Sequence, residues 1–115
     1  MDSKKIAKTI FNALDDKKAV NIKIIDISEI SILADYFIIA GGNNDNQVKA
    51  LADNVEEELL NMEITPKQIE GYDAANWILM DYQDVIVHIF NEDERLFFDL
   101  ERIWSDAKEI DADSL

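Results

Sequence analysis

The chain has 115 residues, enough for one domain around one core. A hydrophobic content of 48% excludes a disordered chain, and the absence of cysteine excludes a disulfide frame or a thiolate metal site. Eleven basic against 25 acidic side chains leave a formal charge of −14, which disfavours nucleic acid and anionic membranes as partners and favours basic proteins.

No apolar run reaches the roughly 18 residues that a bilayer span needs. The opening stretch "MDSKKIAKTIFNALDDKK" scatters charges through its apolar positions and does not read as a signal peptide. The cytoplasm is the expected location. Residues 3 to 17 follow as a predicted helix, because Ile6, Ala7, Ile10 and Leu14 recur at helical spacing. "VNIKIIDI", 20 to 27, is rich in β-branched residues and predicts a strand; 28 to 34 form a short connection. "DYFIIAGG", 35 to 42, is a second strand. Its unbroken apolar run suggests burial on both faces.

Residues 45 to 61 carry the clearest helical stripe: Val48, Leu51, Ala52, Val55 and Leu59. Asn44 with Gln47 three residues later resembles a capping box. "TPKQIEG", 65 to 71, holds the only proline and suits a short edge strand. "WILMDYQDVIVHIF", 77 to 90, predicts a hairpin with strands over 76 to 81 and 84 to 90. Asn91 and Glu94 repeat the capping signal before a last helical stripe of Leu96, Phe97, Leu100, Ile103, Trp104 and Ala107. Residues 1 to 108 thus form one domain, and the acidic tail, 109 to 115, lacks periodicity and is expected to fray. The fold class is α/β in the broad sense (α+β): a single mixed sheet with flanking helices.

Candidate catalytic stretches are weak. "AGGNNDNQ" leaves a strand and opens a helix, where backbone N–H groups can hold a phosphate. It lacks the spacing and the lysine of a P-loop, so a tight turn with a helix cap is the better reading. Asp81 and Asp84 have no further metal ligand close in sequence and suit a turn. His88, the only histidine, has no cysteine nucleophile and no G-x-S-x-G serine to activate, which favours a hydrogen-bonded structural role. "DAD", 111 to 113, lies on the expected frayed tail. No catalytic, cofactor or metal residue is assigned.

The hairpin poses a different question. Its strands are apolar on both faces, and the helical stripes are expected to cover one face fully and the other only in part. Trp77 and Leu79 share a face, while Ile78 and Met80 point the other way. An uncovered apolar patch beside an acidic turn would suit a protein interface.

The stretches "LADYFIIAGGNNDNQVKALADNVEEEL", "IEGYDAANWILMDYQDVIVHIF" and "RLFFDLERIWSDA" resemble, in order and spacing, the ribosomal silencing factor family (RsfS, or Iojap). The resemblance implies a nucleotidyltransferase-like fold without catalytic residues. It implies binding to the large ribosomal subunit through a ribosomal protein on the intersubunit face, blocked subunit association and repressed translation. The family's contact block reads Trp77 to Tyr82 here. The expected partner-binding residues are Trp77, Met80, Asp81, Tyr82 and Asp84: apolar side chains for buried area, carboxylates for Lys or Arg of a basic ribosomal protein. Two departures stand out. Members often carry glycine at the position of Gln83, where a positive φ would strain glutamine, and serine and arginine in the loop that reads Gly41 to Asn46 here. The rival readings are an active nucleotidyltransferase, which needs clustered carboxylates for Mg²⁺, and an adaptor that uses the same apolar face to form a homodimer.

Overall fold

The computed structural model describes residues 2–29, 31–32, 34–92 and 108–115. Helix α1 (Ser3–Asp16) begins at Asp2, whose side chain accepts from the Lys4 N–H. It turns Ile6, Ala7, Ile10 and Leu14 inward, as the spacing predicts, and buries Ala13 beside them. It ends in a Schellman motif: Ala19 N–H donates to the Leu14 carbonyl and Lys18 N–H to that of Asp15. Lys18 takes the left-handed position, at φ 61°, where glycine is usual.

Strand β1 (Val20–Asp26) runs antiparallel to β2 (Tyr36–Gly42), with a register shift between Val20 and Lys23. Every residue of β2 is buried. Helix α2 (Asp45–Leu60) follows directly, and a Cβ at Gly42 would meet the Val48 side chain at 2.8 Å. Close approach of β2 to the first turn of α2 therefore requires glycine there. The short strand β3 (Gln68–Glu70), β4 (Trp77–Asp81) and β5 (Val85–Asn91) complete the predicted elements of the hairpin region. The predicted final helix, with Phe97, Leu100, Ile103 and Trp104, lies outside the described residues.

The expectation of a frayed tail is corrected. Lys108–Ile110 form a strand, β6, paired antiparallel with β1, and Ala112–Ser114 make a 3-10 turn. Ile110, Ala112 and Leu115 pack against the core, and the Lys8 ammonium donates to the Ala112 carbonyl at 3.0 Å. Three strand residues and three apolar anchors hold a segment that shows no periodicity of its own.

The sheet is mixed, in the order β3-β4-β5-β2-β1-β6, with β2 and β5 parallel at its centre and every other pair antiparallel. Strand alternation divides the core in two. Ile24, Tyr36, Ile38, Ala40, Ile78, Met80, Val85, Val87 and Ile89 meet the stripes of α1 and α2. Ile25, Ile27, Phe37, Ile39 and Phe90 form a second cluster on the opposite face, with Trp77 and Ile86 packed against it. Asn54 links the helices: its amide, buried, donates to the Ala13 carbonyl at 2.8 Å.

Candidate docking surface on the hairpin

The β4–β5 pairing places Trp77 opposite Phe90, Leu79 opposite His88 and Asp81 opposite Ile86. These six side chains therefore share the face away from α1 and α2. Trp77 stacks on Phe90 with ring centroids 5.4 Å apart, and Phe37 meets the His88 ring edge-on at 4.9 Å. The Trp77 indole N–H donates to His88 Nδ1 at 3.1 Å. An acceptor at Nδ1 puts the proton of the neutral imidazole on Nε2. Burial pushes the His88 pKa down to about 4, so the ring is neutral and holds the indole in place. His88 is thus the hydrogen-bonded structural histidine that the sequence suggests.

Along the outer part of this face, Trp77, Leu79, Asp81 and Ile86 are only partly buried. They form an apolar strip that ends at a carboxylate. Gly71 supports its inner end. Its φ is +80°, and a Cβ there would lie 2.1 Å from the Trp77 carbonyl oxygen. Only glycine lets the loop pass beneath Trp77.

The turn at the other end is tightly specified. Asp84 N–H donates to the Tyr82 carbonyl and Gln83 N–H to the Asp81 carboxylate. Gln83 sits at φ 75°, the conformation in which glutamine is strained relative to glycine. The Asp84 carbonyl accepts from the N–H groups of both Asp35 and Tyr36, which ties the turn to the start of β2. Asp84 and Gln83 are exposed.

The five expected contact residues do not share one surface. Trp77 and Asp81 lie on the outer face, with Asp84 exposed in the turn beside it. Met80 is 0% exposed and faces the helices with Ile78, because neighbours of opposite parity on a strand point apart. Tyr82 is 5% exposed and belongs to the same helix-side core. Burial, with the charge of Glu56 adding to it, raises the Tyr82 hydroxyl above its ordinary pKa. Met80 and Tyr82 are therefore corrected from contact residues to core residues that fix the hairpin. Leu79 and Ile86 are the partly buried apolar side chains beside Trp77 on the outer face. Parity counted from Trp77 along β4, then across the register to β5, is the signal that finds them.

The loop after β2 is a cap. Gln47 N–H donates to the Asn44 side chain, and the Gln47 side chain accepts from the Asn43 N–H at 2.7 Å. These backbone donors are satisfied within the chain. Among the described residues, no group of three or more His, Cys, Asp or Glu side chains could hold a metal ion.

A family model described as "Ribosomal silencing factor during starvation" matches residues 1–115. The ribosomal silencing factor RsfS of Bacillus subtilis is 43% identical over 113 residues, covering 98% of this chain and 96% of that protein. A crystal structure of a Bacillus halodurans protein superposes with a TM-score of 0.84 at 36% identity, over 93% of this chain and 97% of the other. One from Chromobacterium violaceum gives 0.88 at 33% identity, over 91% and 88%. The sheet of six strands, its two described helices and a sequence match over its whole length agree, and the chain belongs to the ribosomal silencing factor family.

Proposed function

We propose that the chain represses translation without catalysis, by docking on the large ribosomal subunit and excluding the small one. It binds a basic ribosomal protein on the intersubunit face. Trp77, Leu79 and Ile86 supply apolar area, and Asp81 and Asp84 meet Lys or Arg. The observation that carries this reading is the partly exposed strip from Trp77 to Ile86, which ends at carboxylates in a member of the silencing factor family. The charge of −14 steers the protein toward basic protein and away from ribosomal RNA. No described helix is long and apolar enough to cross a membrane. A role at the ribosome, as proposed, would put the chain in the cytoplasm.

Co-sedimentation with purified large and small subunits tests the reading. The chain pellets with large subunits only. Pelleting with both alike, or with neither, contradicts it.

A further inference from the structure

A second surface lies on the helix side of the sheet, across from Trp77. The C-terminal half of α2 and the segment leading to β3 enclose a groove of about 540 Å³. Leu60, Ile64 and Pro66 provide its apolar lining, and Asp53, Glu56 and Glu57 its rim. Leu60 is 57% exposed, one of two large apolar side chains so exposed among the described residues.

The chain shapes this groove on purpose-built backbone. α2 closes with a second Schellman motif: Ile64 N–H donates to the Leu59 carbonyl and Glu63 N–H to that of Leu60. Glu63 holds the left-handed position at φ 61°, which reverses the chain and turns Ile64 back toward the helix. Lys67 N–H then donates to the Asp81 carbonyl at 2.7 Å, which anchors the far wall to the end of the hairpin. The apolar lining is thus held open by hydrogen bonds on both sides. An exposed leucine over a fixed apolar trough, under three carboxylates, is complementary to a cation-bearing chain with aliphatic side chains between its charges.

We propose that this groove docks a basic peptide segment, with an aliphatic side chain of the segment seated on Leu60, Ile64 and Pro66 and flanking Lys or Arg groups paired with Glu56, Glu57 and Asp53. The site is independent of the Trp77 face. α2 packs on the side of Met80 and Ile78, while Trp77 belongs to the opposite cluster. One protein molecule can therefore hold a partner on each side of its sheet.

The test is fluorescence anisotropy with a labelled peptide of mixed Lys and Leu, against a matched peptide of Lys and Ser that reports general attraction to the acidic chain. The Lys/Leu peptide binds saturably and more tightly. Leu60→Ser, at an exposed position, weakens it by about tenfold, the scale of one lost aliphatic contact. Joint Glu56→Lys and Glu57→Lys substitution weakens it more than Asp15→Lys with Asp113→Lys, which changes the net charge equally at distant exposed sites. Trp77→Ala weakens it less than Leu60→Ser does. Equal binding of both peptides, indifference to Leu60→Ser, equal loss from the two charge reversals, or a loss in Trp77→Ala matching that in Leu60→Ser overturns the proposal.

Discussion

Gln83 and His88 show how single residues set the hairpin's geometry at some cost in stability. Gln83 occupies φ 75°, where a side chain with a Cβ is strained by roughly 1 kcal/mol relative to glycine. Gln83→Gly should therefore stabilise the fold by up to about 1 kcal/mol in chemical denaturation, less the entropy that glycine adds to the unfolded chain. A loss of stability would mean that the glutamine side chain makes a compensating contact. His88 is buried neutral, with its pKa lowered from 6.5 to about 4. The unfolded chain binds this proton at higher pH than the folded one does. The stability from the neutral ring is therefore complete above about pH 6.5, falls as pH drops toward 4 and levels off below that. The full difference is on the order of 3 kcal/mol. His88→Gln should flatten the slope of stability between pH 6.5 and 4 relative to the native chain. An unchanged slope would assign it to the carboxylates instead.

Elements with a periodic stripe or an unbroken apolar run were legible in the sequence; those defined by a distant partner were not. α1 and α2 follow from their stripes, and β2 from its apolar run, which the structure places at the sheet's centre. β6 has only Lys108, Glu109 and Ile110, two of them charged, and exists because β1 offers a free edge. The helix ends were equally hard to read, because Lys18 and Glu63 stand where glycine would have announced a C-terminal turn. The hairpin was legible as an element, and the shared facing of Trp77 and Leu79 through their equal parity. The facing of Met80 was legible too, through its opposite parity to Trp77, whereas the burial of Tyr82 depends on how the turn leaves the strand. Deleting residues 108–115 tests the role of β6. Loss of its pairing and of the Ile110, Ala112 and Leu115 contacts should lower stability by roughly 1–3 kcal/mol. A truncated chain with unchanged unfolding would mean that the segment does not hold the fold.

At the scale of the whole molecule, the central claim is that the sheet has one face for its own helices and another that keeps part of its apolar area for a partner. Neighbouring residues separate the two. Ile78 is fully buried against the helices, so Ile78→Ala should cost about 2–5 kcal/mol of stability. Trp77→Ala, at a partly buried position, should cost the fold less than that of a fully buried tryptophan and cost large-subunit binding about 2 kcal/mol or more. If Trp77→Ala unfolds the chain as readily as Ile78→Ala and binding per folded molecule is unchanged, the docking surface lies elsewhere. The most direct measurement is light scattering of 70S formation when purified large and small subunits are mixed. Preincubating large subunits with the native chain should suppress the scattering rise in proportion to occupancy, and Trp77→Ala at the same concentration should restore most of it. Subunits that join at the same rate and to the same extent with a saturating amount of the native chain would contradict the account.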